Sequence, residues 1–312
     1  MDQFRNHPLY RRHNLDSAMS SLWEFYKKYF LSLFIISLVM SGIIQYASSL
    51  LNLAELQSAA DPAAIIEKVR EMIVPIGIVS LISLVLTTVL QHYILYRPVD
   101  GSNNIFVSVL RSFKYFIPFI IILILLAFFG AIAITIGVIA LVVGAFFAAL
   151  YIFSLYLLIL PVLIIEGPSI GHTIGRTFRL LHRNFWNNLG WVAVFLVILI
   201  VLNVVLSAIV MIPFSGSMLK SIFNPDTAKP DFLTNPFFII LSALVNALTL
   251  PLVPIFAGIL YFNAKAGEDE AEVVIEHPKE YVPTIEDLYA RPVDENKDTE
   301  EGNTAKEREG NR

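Results

Sequence analysis

The sequence predicts an all-α fold: a polytopic transmembrane bundle of six spans. Three observations carry this expectation. The 312 residues are 56% hydrophobic and only 15% charged, with a mean hydropathy of +0.68, whereas soluble domains carry about 25% charged residues. Charge-free apolar runs recur along the chain, and Lys and Arg gather on alternate connections between them.

A helix rises about 1.5 Å per residue and needs roughly 20 apolar residues to cross about 30 Å of hydrocarbon. Runs of that length occupy residues 29–53, 72–96, 184–218 and 235–263. A longer one, 115–165, holds two spans, because backbone in lipid must stay helical and a single helix would overshoot the bilayer. Its reversal is expected at Thr135–Gly137. The connection 54–71 opens a helix at Asp61-Pro62, an N-cap followed by proline at the first helical position, and a short surface helix is expected there. The connection 213–236, rich in Pro, Ser and Asn, reads as irregular. Pro118, Pro161, Pro251 and Pro254 fall within spans, and the last two together should kink or unwind the sixth.

Eleven bases lie on one side of this arrangement: Arg5, Arg11, Arg12, Lys27, Lys28, Arg97, Arg111, Lys114, Arg176, Arg179 and Arg183. The other side carries four: Lys68, Arg70, Lys220 and Lys229. Short basic connections face the cytoplasm, so a cytoplasmic (inner) membrane protein with both termini cytoplasmic is expected. The first run is too long for a signal-peptide core and lacks a small-residue cleavage site, so it reads as an uncleaved span. Three regions follow: an N-terminal segment 1–28, the membrane domain 29–263, and an acidic tail 264–312 expected to be disordered. Within the tail, 273–291 is an apolar patch carrying Tyr281, Ile285 and Leu288. It reads either as a docking motif for a partner or, preferably, as unpatterned solvated chain.

Amphipathic segments precede spans 1, 3 and 5, at 15–29, 104–115 and 169–186. The last places Arg176, Arg179 and Arg183 on one face at i, i+3 and i+7. Each segment ends alike, with Lys28, Lys114 or Arg183 two residues before a Phe. A repeat of interfacial helix, span and return span is one reading; the general preference for bases and aromatics at membrane interfaces is the other.

The run Pro161-Val-Leu-Ile-Ile-Glu166, then Gly167-Pro168-Ser169, then Gly175-Arg176-Thr177-Phe178-Arg179-Leu180-Leu181 and Asn184-Phe185-Trp186 resembles a known family. It is similar to the glycerophosphoryl diester phosphodiesterase membrane-domain family, the YciC-like six-span bacterial membrane proteins. The resemblance covers about 30 residues, beyond agreement in span number. It implies an inner-membrane location and the interfacial-helix arrangement. It carries no phosphodiesterase activity over, since the residues after Asn263 are too few for a barrel enzyme of roughly 250 residues.

Glu166 reads as a salt-bridge partner for Arg176 or Arg179 that holds the interfacial helix, in preference to a proton or cation contact. Arg176, Arg179 and Arg183, with His172, His182 and the neighbouring Trp186, form a basic stripe. It serves either topology alone or contact with anionic lipid headgroups or a partner, near-surface bases contributing about 1 kcal/mol each toward anionic lipid. Gln45, Gln91, His92, Asn203 and Asn246 are the polar residues in or near spans, and helix-to-helix hydrogen bonding is their preferred role over a substrate path. His92 lies about one turn inside Arg97, where it could titrate near the inner surface. His7 and His13 read as surface residues.

No cysteine is present, which excludes disulfides and thiolate chemistry. No catalytic triad, metal-binding histidine cluster or phosphate-cradling loop was found, and nucleic acid is an unsuitable partner for a stripe at the membrane. The expectation is a non-catalytic protein without cofactor or metal, with an accessory or organising role, whose partners are membrane lipids and a membrane protein. The alternative is a transporter or lipid-handling channel built on the kinked sixth span.

Overall fold

A computed structural model of the chain describes residues 2–49, 62–139, 142–216 and 235–276, together with Leu219 and Phe223. It divides into two units, 1–268 and 269–312. Of the second unit, the described residues 269–276 are helical. Nine α-helices fill the described residues: α1 (Leu15–Lys28), α2 (Phe30–Ser49), α3 (Pro62–Tyr96), α4 (Ile105–Ile139), α5 (Val142–Glu166), α6 (Ile170–Arg183), α7 (Phe185–Met211), α8 (Pro236–Thr249) and α9 (Leu252–Glu276). Six stretches are long and apolar enough to cross a membrane: α2, α3, α4, α5, α7, and α8 with α9.

The interfacial segments of spans 1 and 5 form separate helices, each set off by one residue. α1 starts at a capping box: the Asn14 side chain accepts from the Ser17 backbone N–H at 2.8 Å, and Ser17 Oγ accepts from the Asn14 N–H at 2.9 Å. It stops at Tyr29, and α6 stops at Asn184, both outside helical backbone angles. The segment at 104–115 behaves differently. It is the opening of α4, which runs unbroken for 35 residues. Its small face, Ser108 and Ser112, is buried, and Ser108 Oγ lies 3.3 Å from Nδ1 of His92 on α3. Packing against α3 continues the line of the span.

Three further expectations are corrected. Thr135–Gly137 is helical rather than the reversal, since α4 continues to Ile139 and α5 begins at Val142. Gly137 is instead where the two helices touch: a Cβ there would stand 2.7 Å from the Gly144 carbonyl oxygen. Pro62 opens no short surface helix. It begins α3, whose 35 residues carry Glu67, Lys68, Arg70 and Glu71 in the opening turns and Pro75 in the interior; Asp61 lies outside the described residues. At about 52 Å, such helices exceed the hydrocarbon core, and their charged or amphipathic ends supply the excess. The acidic tail does not start as disordered chain at 264, because α9 continues to Glu276. Ala, Lys and Glu in 264–272 favour helix. The rest of the tail and most of the 273–291 patch lie outside the described residues. Of the 213–236 connection, the described part opens with a 3₁₀ turn at Ile212–Phe214.

The sixth span breaks as its prolines require. α8 ends at Thr249 and α9 starts at Leu252. Neither Pro251 nor Pro254 has an N–H to donate. Two side chains reach the carbonyls flanking the break: Tyr26 Oη donates to Leu248 O at 3.0 Å, and Gln91 Nε2 donates to Pro254 O at 3.1 Å.

The core is concentrated at one end of the bundle. The ends of α3, α5 and the body of α9 meet the starts of α4 and α7 there, with α1 and α6 packed against them. Ile255, Phe256, Ile259, Leu260, Tyr261 and Phe262 of α9 are all buried, and Phe256 stacks on Phe195 of α7 at 4.0 Å. Residues before α1 join this core. His7 and His13, read from sequence as surface residues, are buried. His7 accepts from the Leu9 N–H at 3.2 Å through Nδ1 and faces Ile94 O at 3.3 Å through Nε2, between the rings of Phe25 and Phe262. Away from this end α2, α3, α4 and α7 expose large apolar residues such as Ile35, Ile73, Phe128, Ile139 and Val204, a surface suited to lipid rather than water.

Candidate functional site at the basic end of the bundle

The turn between α5 and α6 is short, and Gly167 takes a φ of +114°, where only glycine is unstrained. The reversal returns α6 beside α5. Thr173, Thr177, Leu180 and Leu181 go inward, and His172, Phe178, Arg179, His182 and Arg183 stay on the outer side. The junction to α7 is tied by Asn188, whose Nδ2 donates to Leu180 O at 3.2 Å and Leu181 O at 3.0 Å. This satisfies carbonyls that a helix C-terminus leaves open.

Arg176 is the centre of the site. Its Nε donates to both carboxylate oxygens of Glu166 at 3.0 Å. Its Nη1 donates to Glu268 Oε1 at 2.7 Å, and Nη2 donates to Glu268 Oε2. Tyr261 Oη donates to Glu166 Oε1 at 2.9 Å. The three charged side chains retain 12%, 6% and 17% exposure for Arg176, Glu166 and Glu268, so the cluster is largely removed from water. Burial alone would depress the Arg176 pKa, but its hydrogen bonds to Glu268 and Glu166 outweigh burial and raise it. The guanidinium therefore stays charged. Arg183 and Lys265 approach Glu268 at 3.7 and 3.5 Å, and Arg183 Nη2 donates to Gly267 O at 3.1 Å. His172, half exposed, stands 3.6 Å from Glu166. Arg176, Arg183 and Lys265 thus surround two carboxylates.

The expected bridge between Glu166 and α6 is present, and it selects Arg176 rather than Arg179. Arg176 and Arg183 turn to Glu268, while Arg179 makes no ion pair or hydrogen bond among the described residues. Trp186 is 74% exposed against Phe185. His182 stacks with Phe178 and Phe185 and meets Tyr151 edge-on at 5.8 Å. Among the polar span residues, Gln91 donates to Pro254 O in the first turn of α9 and Asn203 donates to Leu199 O in its own helix at 2.8 Å. His92 is buried, stacked on Tyr96 and held near Ser108. Gln45 is half-buried and Asn246 exposed. These five are not brought to one place. The sequence reading missed Glu268, Tyr261 and Lys265, having placed the first and last in a disordered tail. The helix-forming run after Asn263 and the i, i+3 pair Lys265–Glu268 were the available signals.

Helices, apolar surface and buried ionic cap together define an α-helical, six-span integral membrane protein with an amphipathic helix locked across one end. Comparison with protein-family models, with curated proteins and with solved structures finds no match to this chain.

Proposed function

We propose that this protein is a non-catalytic component of the cytoplasmic membrane, with both termini in the cytoplasm, that assists or organises a membrane-protein partner through lipid and protein contact at its basic end. The observation that carries the reading is the Glu166–Arg176–Glu268 lock. It fixes α6 against the bundle through side chains that are spent on one another, and leaves Arg179, His172 and Trp186 on the outer side. Rigid presentation of a base and an aromatic beside anionic headgroups suits recognition at a surface. The same residues, 161–186, carry the resemblance to the phosphodiesterase membrane-domain family, and we place the chain with that group. Tyr26 and Gln91, which donate to Leu248 O and Pro254 O on either side of the sixth-span break, support a packed joint over a transport pathway.

The test is crosslinking in cells followed by purification in mild detergent, scoring proteins and lipids together. A stoichiometric protein partner, weakened by Arg179→Gln with Trp186→Ala, is the expected outcome. A solute or lipid whose flux across liposomes requires the chain, with no protein captured, would replace this reading with the transport alternative. Orientation is read separately by reporter fusions in the 97–104 and 217–234 connections, the first expected cytoplasmic.

A further inference from the structure

α8 is apolar apart from Ser242, Asn246 and Thr249. The depth of Asn246 follows from a neighbouring contact, in which Ser41 Oγ of α2 donates to Ala243 O at 2.7 Å. Ser41 lies about 16 Å along α2 from Phe30, near the middle of a 20-residue span. Ala243 is therefore at mid-depth, and Asn246 is about 4.5 Å nearer the basic end, still inside a hydrocarbon core of about 30 Å. Asn246 is exposed there, and its side-chain amide makes no hydrogen bond among the described residues. Gln91 and Asn203, in contrast, donate to Pro254 O and Leu199 O. Gln45 of α2 lies on the other side of the Ser41–Ala243 level, about 10 Å from Asn246 along the helices, which is too far to serve as its partner. A side-chain amide carries two donors and an acceptor, and hydrocarbon satisfies none of them. Polar side chains at this depth face a protein partner or a water-filled cavity. Asn235, Ile239, Ser242 and Asn246 follow the i, i+4, i+7, i+11 spacing of a two-helix seam, and none of the four is buried. Ala243 and Ala247, on an adjacent side of α8, are buried, so the chain's own packing leaves the seam largely uncovered.

We propose that α8 pairs with α8 of a second copy of this chain, about a two-fold axis along the membrane normal, and that the two Asn246 amides hydrogen-bond to each other across it. Copies inserted in one orientation carry Asn246 at one depth, so the axis brings like to like. An amide is self-complementary: each side chain donates through Nδ2 and accepts through Oδ1, which gives two bonds. A different partner needs a matching polar group of its own at this depth, whereas a second copy supplies it by symmetry. Ser242, one turn away on the seam, is small enough to let the two backbones approach. The pairing belongs to the hydrocarbon depth and is independent of the contacts proposed for the basic end.

The chain has no cysteine, so Ser242→Cys supplies a single thiol within the seam and leaves Asn246 in place. The full chain, in liposomes of phosphatidylethanolamine and phosphatidylglycerol, is oxidised with copper phenanthroline over a series of protein-to-lipid ratios. A disulfide-linked species of twice the chain mass is expected for Ser242→Cys, and none for Ile124→Cys on the exposed side of α4. Adding Asn246→Leu to Ser242→Cys should raise the ratio needed for half-maximal crosslinking roughly tenfold, the loss of two interhelical hydrogen bonds. Leucine leaves no polar group unsatisfied, so the thermal midpoint of the monomer in detergent should not fall, which separates lost pairing from lost folding. Equal crosslinking with and without Asn246→Leu would overturn the proposal, as would a monomer at every ratio or equal crosslinking of Ile124→Cys. Asn246→Cys tests for water at the same position. Its modification by a charged, membrane-impermeant methanethiosulfonate would place the amide in an aqueous cavity and overturn the pairing; protection from the reagent is the expected result.

Discussion

Arg176 of α6 donates through Nη1 to Oε1 of Glu268 on α9 at 2.7 Å, across 92 residues of sequence. The same guanidinium holds Glu166, so a single side chain joins the end of the fourth span, the interfacial helix and the end of the last helix. Ion pairs on a water-exposed surface contribute little. This one is largely buried, and its removal would leave Glu166 with only the Tyr261 hydroxyl and half-exposed His172, while Glu268 would keep Arg183 and Lys265.

Arg176→Gln is therefore expected to destabilise the fold by about 3–5 kcal/mol, the cost of leaving a buried partner uncompensated. Arg179→Gln, which removes an unengaged base, should change stability by less than about 0.5 kcal/mol. Thermal unfolding of both variants in one detergent measures the contrast. Equal effects would mean that the lock contributes no stability.

The His7 site predicts a pH dependence. Burial lowers its pKa to about 4, against a backbone hydrogen bond to Ile94 that raises it. Accepting the Leu9 N–H requires an unprotonated Nδ1, which leaves Nε2–H to donate to Ile94 O. The folded pKa lies below the unfolded one, near 6.5. Between those values the unfolded chain binds more protons. The contribution of His7 is thus complete above about pH 6.5 and is lost as pH falls toward 4, on the order of 3 kcal/mol in all. Burial also lowers the pKa of His13, which adds in the same direction. His7→Gln should flatten the acid limb of a stability–pH curve; an unchanged limb would assign it to other groups.

Two glycines should respond oppositely to alanine. At Gly137 a methyl group would stand 2.7 Å from backbone atoms of Gly144 and Ala145. Gly137→Ala must then push the α4–α5 hairpin apart, at about 1–3 kcal/mol. At Gly42 of α2 nothing lies within 4 Å of the added carbon, and Gly42→Ala should gain about 0.5–1 kcal/mol from helix propensity. Denaturation midpoints of the pair check both signs.

Gln91→Leu tests the joint in the sixth span. It keeps the bulk beside α9 but removes a side-chain donor to Pro254 O, and a loss of about 0.5–1.5 kcal/mol is expected for one net hydrogen bond, since Pro254 O keeps its place in the α9 ladder. Faster amide exchange at 255–258 than in wild type would localise the effect to the break. Exchange that is uniform along α9 would show that Gln91 is not its support.

Six spans, the break at Pro251 and Pro254, and the separate helices α1 and α6 were legible in the linear sequence, because each follows from local chemistry. Charge-free length dictates a span, missing N–H groups dictate a break, and amphipathic spacing dictates a helix with one buried side. The bridge from Glu166 was legible too, since its partner lies ten residues away across a short glycine turn.

What the tertiary structure alone decided is where those elements stop and which side chains meet. Residues 104–115 continue into α4 because α3 offers His92 to Ser108, a contact that no local pattern records. Gly137 lies in a helix rather than a turn because Gly144 approaches it. Glu268 belongs to an ordered helix because Arg176 and Arg183 draw it into a buried cluster. His7, which composition places in water, is buried because residues before α1 fold back over the end of α3. Local sequence determines where a helix can form and lie in a bilayer. The ends of helices and the fate of their charges are set by the desolvation of whatever packs against them, and that partner is distant in the chain.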